Sequence, residues 1–293
     1  VGLGGGSPHL ITAAGRKGSI SMTKRAHAHS ILFALISVSF AAPVLAQVDP
    51  WEFEVYPART IGKGILEFEP LNSVVAKGHS EGDSGTSGGE FPSQSMYRTA
   101  FELAYGLTDH LEAAAYLNLA LPSGEGLQYA GSKYRLRGSL LEPGQLPIDL
   151  GWYSEIEWNR IPQFDESELE LELIPIFEKD IGRLEIDLNP KFVKAIFVGP
   201  DKNKGFEFGY AAAAYYNYWR RLSPGLEFYG GIGLIDDVDP ISEQQHYVFT
   251  VVRGELGGGI EYSVGPGFGL TSGSDDVLVK FNVELERFVG TLL

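Results

Sequence analysis

The most persistent feature of the chain is a two-residue alternation of apolar and polar side chains. In Glu168–Phe177, Leu169, Leu171 and Leu173 alternate with Glu168, Glu170 and Glu172. In Leu184–Phe192, Leu184, Ile186 and Leu188 alternate with Glu185, Asp187 and Asn189. In Val277–Glu286, five apolar residues from Val277 to Leu285 alternate with Lys280, Asn282, Glu284 and Glu286. A strand turns successive side chains to opposite faces, whereas a helix gathers positions three and four apart. None of these segments makes an amphipathic helix, and each makes a two-faced strand. The same pattern predicts strands at about 64–77, 97–105, 111–121, 127–137, 146–158, 167–179, 183–196, 204–219, 225–234, 247–262, 264–272 and 276–288. Trp51–Tyr56 also alternates, as a further strand or a lead-in, so the count is about twelve within a range of ten to fourteen.

Many of these strands are longer than the roughly 5–6 residues usual in soluble sheets and match the roughly 9–11 of a tilted membrane strand. With both termini on the periplasmic side, the odd connections of a membrane barrel are long and the even ones short. Gly78–Met96 and Ile235–His246 fit as long outer loops, and Gly106–His110, Asp180–Gly182 and Leu222–Pro224 as tight turns. Pro122–Gly126 and Gly138–Gln145 fit less well, so the alternation is a tendency. Three strands that follow short turns open on Leu111-Glu112, Leu184-Glu185 and Leu226-Glu227, and a fourth on Leu146-Pro147-Ile148-Asp149. Parity turns Glu112, Asp149, Glu185 and Glu227 inward at one end. Trp152 and Trp158, and Phe206, Phe208, Tyr210, Tyr216 and Tyr218, fall towards strand ends, as the aromatic girdles of a membrane barrel do.

The N-terminal region points the same way. Residues 1–21 have no periodicity and read as translation from upstream of Met22. From Met22, the basic Lys24 and Arg25 lead into the apolar run Ile31–Ala42 and then Pro43-Val44-Leu45-Ala46, a signal peptide with cleavage expected after Ala46. The expected layout is leader 22–46, lead-in 47–63, barrel 64–288 and tail 289–293. The whole chain carries 23 basic and 38 acidic residues. The first 46 residues hold four basic and no acidic ones, so the remaining 247 of 293 carry 19 and 38. So acidic a chain argues against a nucleic-acid partner. With no cysteine, an exported fold must stand on packing and backbone hydrogen bonds.

The candidate functional feature is the inward row of charges. Glu155 and Glu157, Glu168, Glu170 and Glu172, Glu185 and Asp187, Glu255 and Glu261, and Glu284 and Glu286 face the lumen by parity, with Glu112, Asp149 and Glu227. Lys191, Lys280, Arg253, Arg135 and Arg137 share it with them. Two readings stand side by side: a hydrogen-bonded plug inside a filled barrel, or a wet lumen whose acid excess favours cations. His79, His110 and His246 are dispersed, with no metal-ligand spacing. Asp236, Asp237 and Asp239 offer carboxylates but no dedicated calcium loop, and the glycines of 254–269 lead into no helix of a phosphate site. No cofactor, metal or catalytic residue is assigned.

Phe101-Glu102-Leu103-Ala104-Tyr105-Gly106-Leu107-Thr108-Asp109-His110-Leu111-Glu112 resembles a strand–turn–strand pattern of proteobacterial outer-membrane barrels. Tyr129–Leu136 and Leu146–Gly151 are likewise similar to middle strands of the outer-membrane proteins of the phenol-degradation meta-pathway family. The resemblance covers about half of the part after Ala46, in short pieces. It implies an all-β, antiparallel up-and-down transmembrane barrel and passage of small, partly hydrophobic or aromatic molecules, with no catalytic residues. The chain departs from that pattern at its end: it runs past Phe288 to Leu293, and Phe288 breaks the outward parity of Phe281, Val283 and Leu285, by a bulge or by a different terminal signal. The favoured expectation is a passive channel in the outer membrane of a Gram-negative bacterium, inserted by the barrel-assembly machinery. A closed structural or adhesive barrel is the alternative, and an outer-membrane hydrolase using His110 or His246 the third.

Overall fold

The computed structural model describes residues 48–82, 89–165, 167–197 and 204–290. The chain divides into two compact units, Val1–Phe40 and Ala41–Leu293. The first lies outside the described residues, as do the expected leader, its cleavage site and the last three residues. The second unit is all β, with no helix among its described residues.

Its strands are β1 (Ile65–Lys77), β2 (Tyr97–Thr108), β3 (Leu111–Leu121), β4 (Gln128–Ser139), β5 (Asp149–Asn159), β6 (Leu169–Ile181) and β7 (Leu184–Phe197). They continue with β8 (Glu207–Tyr216), β9 (Ser223–Leu234), β10 (Asp237–Val238), β11 (Gln245–Glu255), β12 (Ile260–Gly269) and β13 (Val277–Phe288). Neighbours pair antiparallel, and pairing of β1 with β13 and of β8 with β9 closes the ring. β10 only folds back on the last two residues of β9. Twelve strands therefore form the wall, as the alternation predicts.

Burial inverts the usual order of a soluble protein. Leu103, Leu117, Ile156, Leu173, Leu188, Phe228, Phe281 and Leu285 are all exposed on the outside. Glu102, Glu112, Lys133, Arg135, Glu155, Glu227 and Lys280 are buried inside. An outward apolar face of this extent belongs against lipid. Among its exposed rings, Trp158, Phe197 and Phe206 lie at the end of the long connections and Tyr216, Tyr218 and Trp219 at the end of the short turns, with Tyr134, Phe228 and Phe281 between.

Three expectations need correction. The strands placed at 247–262 and 264–272 are divided earlier, at residues 256–259. Gly257, Gly258 and Gly259 all have φ between 72° and 93°, a left-handed run that ends one strand and starts the next. The eighth strand stops at Tyr216, because Trp219 and Leu222 bridge across a turn that sequence alternation runs through. Phe288 pairs with Ile65 in an unbroken register that also aligns Leu66 with Arg287 and Phe68 with Leu285. The register of β12 with β13 is equally continuous, so no bulge explains the parity of Phe288.

Trp51–Tyr56 joins no strand of the wall. It belongs to a segment, residues 48–64, that runs inside the barrel. Val48 donates its backbone N–H to Gln245, beside the long connection that follows β10, and Gly64 donates to the carbonyl of Gly106 beside the short β2–β3 turn. The segment thus crosses the lumen from the long-loop end to the short-turn end before β1 begins.

Candidate functional site

An extended chain without a ladder partner must find other acceptors for its N–H groups. Here side chains of the wall supply them. Asn189 accepts from Tyr56 N at 2.7 Å and returns its amide to Tyr56 O at 3.0 Å, replacing both bonds of a neighbouring strand. Glu178 accepts from Ala58 N at 2.7 Å, and Glu112 from Ile61 N at 2.8 Å. Gly106 lets the segment leave, since a Cβ there would lie 2.1 Å from the carbonyl oxygen of Gly62.

The alternation of Trp51–Tyr56 is satisfied on two sides. Phe53 packs among Tyr229, Tyr247 and Phe249, with ring centroids 4.9–5.7 Å apart. Val55 joins the same apolar cluster with Ala211, Ala213, Val251 and Leu278. Trp51 meets Phe164 edge-on at the long-loop end. On the other side, Asp49 and Glu52 converge on Lys133 of β4, which is wholly buried. Glu52 lies 2.9 Å from the Lys133 ammonium, and wall residues Glu155 and Glu157 lie 3.4 and 3.6 Å from it. Tyr56 packs on Tyr153 and beneath Arg135 and Arg137, whose guanidinium carbons lie 5.5 and 5.3 Å from its ring centre.

The residues singled out by parity fall into several separate groups. Glu112 is gripped by Arg135 and Arg137 at 2.8–3.1 Å. Glu227 pairs with Lys280 and accepts from Tyr215 and Tyr229, while Lys280 also donates to Phe53 O at 2.8 Å. Glu185 takes Arg253 at 2.5 Å and Asn217 at 3.0 Å, and Glu172 faces Lys191 at 3.4 Å. Glu155 accepts from Tyr153. Glu170, Glu157 and Glu284 are half-buried on the same inner parity, and Asp187 is buried. Glu255 lies at the short-turn rim, paired with the exposed Arg220. Asp149 is tied to Gly144 N in its own connection. Glu168 is exposed before β6 begins, because the strand starts one residue later than its alternation. The four carboxylates expected at one mouth are therefore held by four different sets of partners.

Lys133, Asn189, Glu178 and Glu102 share the inward parity of the residues above, while the tyrosines 116, 153, 215, 229 and 247 carry no charge that marks them in the alternation. A clue lay in apolar residues at inward positions, Ile174 and Ile176 on β6 above all. Inside a water-filled barrel they would have nothing to pack on, and here they pack against Tyr56 and Ala58.

The segment leaves a cavity at each end, about 300 Å³ among Pro50, Met96, Arg98 and Phe164, and about 310 Å³ among Glu54, Arg59, Glu67, Glu69 and Glu284. Among the described residues, three groups of carboxylates draw together: Glu54–Glu69–Glu102, Glu67–Glu284–Glu286 and Glu178–Glu185–Asp187. Asp236, Asp237 and Asp239 are in none of them. Of the two histidines suggested for a hydrolase, His110 stands between a serine hydroxyl and a carboxylate at the exposed short-turn end, and His246 has no serine or carboxylate on its ring among the described residues. His110 bonds to Ser139 and lies near Glu142, and His246 contacts Tyr210 and Gln244. At the long-loop end Ser93 gives its hydroxyl to Asp275, not to the ring of His79.

No known family profile matches the chain, and no curated protein does. Solved structures do. An outer-membrane channel from Pseudomonas putida F1 superposes with a TM-score of 0.52 at 13% identity, covering 82% of this chain and 100% of that one. The fold is that of an outer-membrane β-barrel. The resemblance seen in the strand–turn motifs holds at the level of fold. More distant likenesses include LpxR from Salmonella typhimurium (TM-score 0.41, 9% identity, 75% and 99% covered). A mutant of the monoaromatic hydrocarbon channel TodX also matches (0.38, 10%, 77% and 90%).

Proposed function

We propose that the barrel is an outer-membrane channel for small solutes, held shut by its own residues 48–64. The observation that carries this reading is the single segment that crosses the lumen from end to end and packs against the inward side chains of the wall. Beneath it the wall is lined by Glu112, Lys133, Arg135, Arg137, Glu155, Glu227 and Lys280. Lys133, Lys280 and Glu112 would lose the partners that the segment supplies. Buried charges that lose partners are stable only when hydrated, so a wet passage is what remains when the segment withdraws.

The lumen-lining set comprises the parity residues on β3, β5–β7, β9, β11 and β13, with Asp149, Glu168 and Glu255 at its rims. Its excess of carboxylates favours cations. Opposite the charged side, Ala211, Ala213, Phe249, Val251 and Leu278 form an apolar stripe, which suits a partly hydrophobic solute or a small organic cation. Passage needs no covalent step. The signal peptide delivers the chain to the periplasm, and the barrel-assembly machinery inserts it into the outer membrane.

A closed structural barrel is the competing reading, supported by the density of bonds that hold the segment. Planar-bilayer recording separates the two. The channel reading expects resolved openings, and a reversal potential in a salt gradient that favours cations. If the protein shows no conductance and liposomes no solute entry, even when the segment is loosened by Lys133→Met, the channel reading fails. Anion selectivity would contradict the acidic-lumen argument.

A further inference from the structure

Towards the short-turn end, Glu178 on β6 stands directly across the ladder from Asp187 on β7. Glu185 lies two residues before Asp187, on the same face. One carboxylate oxygen from each lies within 4.8 Å of the other two. All three side chains are buried, Asp187 with only 1% of its surface exposed. Like charges opposed in a ladder repel, and buried carboxylates require a counter-charge or a full set of donors.

The neighbours meet only part of that requirement. Arg253 and Asn217 both bond to Glu185 Oε2, at 2.5 and 3.0 Å. Ala58 N donates to Glu178 Oε2. Arg59 acts on all three electrostatically, but its side chain is exposed. Glu185 Oε1 and Asp187 Oδ1 are buried and have no hydrogen-bond partner among the described residues. Orphaned acceptors this deeply buried mark a place for a ligand, independently of the clustering of charge.

We propose that Glu178, Glu185 and Asp187 bind a divalent cation of the calcium type. Calcium takes oxygen ligands at about 2.3–2.6 Å, so two oxygens on one ion stand at most about 5 Å apart, and the three here satisfy that limit. Three carboxylates without imidazole or thiolate select a hard cation over zinc or copper. The ion would neutralise the ladder repulsion between Glu178 and Asp187. It would also fix Glu178 as the acceptor that holds Ala58, joining the lumen segment to the wall. The proposal does not depend on the channel reading.

The test is calcium binding by the full chain, purified in detergent and stripped with a chelator, followed by equilibrium dialysis with radioactive calcium. The wild type is expected to bind, and Asp187→Asn and Glu178→Gln each to weaken binding about tenfold or more, because affinity follows ligand charge. Glu170→Gln, a luminal acid outside the cluster, is expected to bind as the wild type does. No binding at millimolar calcium, or unchanged binding in Asp187→Asn and Glu178→Gln, overturns the proposal. Heat-modifiable gel migration reports whether each variant has folded. Should either fail to fold, terbium emission in the wild type serves instead, sensitised by Tyr215, which pairs with Glu185 across the ladder. Emission that calcium displaces supports the site, and its absence overturns it.

Discussion

Replacing Lys133 by Met is the sharpest perturbation of the proposed closed state. The ammonium group is wholly buried and lies within 3.6 Å of Glu52, Glu155 and Glu157, with Asp49 closer still. Methionine keeps the length of the stem and removes the charge, leaving four carboxylates facing one another. Two of them, Asp49 and Glu52, leave with the segment if it withdraws, so the repulsion acts on the closed state. Removing one member of a buried ion pair costs about 3–5 kcal/mol. Glu155 and Glu157 remain on the wall in either state, which argues for the lower end. About 3 kcal/mol is roughly a hundredfold in the balance between seated and withdrawn segment. The assay is maleimide labelling of a cysteine placed at Val55, which is buried in the lumen, in parallel with open probability in bilayers. Both are expected to rise by about two orders of magnitude in Lys133→Met. Adding Asp49→Asn and Glu52→Gln should recover part of the closed population. Labelling and conductance that stay unchanged in a folded Lys133→Met protein would refute the idea that this ion cluster seats the segment.

Other consequences are simpler to read. Leu173→Arg, on the outer face in the middle of β6, should lower the stability of the barrel in lipid by about 2–4 kcal/mol; urea titration from vesicles measures it, and a change within experimental error would remove the lipid-facing assignment. Gly258→Val puts a β-branched side chain at φ 72°, which should cost at least about 1–2 kcal/mol and slow formation of the β11–β12 hairpin; refolding kinetics equal to wild type would show that another conformation serves the turn. Asp276, in the connection before β13, is held below the usual aspartate range by its hydrogen bond from Lys77 and by that ammonium's charge. The contribution of this pair is complete above the ordinary aspartate pKa and fades as pH falls through the lowered value. Carboxyl-carbon NMR of Asp276 checks this, and titration at or above pH 3.8 would contradict it.

The wall was legible because its signal is local. Leu111–Leu121 emerges with the bounds that period two predicts, and β13 begins at Val277, one residue after the expected start. Where the reading slipped, a conformational event had overridden a smooth pattern, as at Gly257–Gly259. The candidate site was half legible. Parity finds Glu112, Glu155, Glu227 and Lys280 on the inner face, yet it says nothing about which charge meets which. Those meetings are long-range: Ile61 with Glu112, Tyr56 with Asn189, Asp49 with Lys133. The alternation of Trp51–Tyr56 equally suits an edge strand beside a ladder and an extended chain between two walls. What separates them is where its backbone partners lie, and these come from side chains more than a hundred residues away for Tyr56 and Ala58.

The seam between β1 and β13 joins the first strand of the wall to the last, so the ring closes only when the whole chain has been delivered. Residues 48–64 precede that seam and end at Gly64, one residue before it. Their insertion is therefore a matter of assembly order. A segment captured while the seam is open only has to lie down on a half-formed wall, with Lys133 and Asn189 still reachable from the side. A segment arriving afterwards must thread end-on past the rim and exchange water for partners one residue at a time. The short tether at Gly64 favours capture. The last step of biogenesis would then be the sealing of a barrel around a stopper already in place.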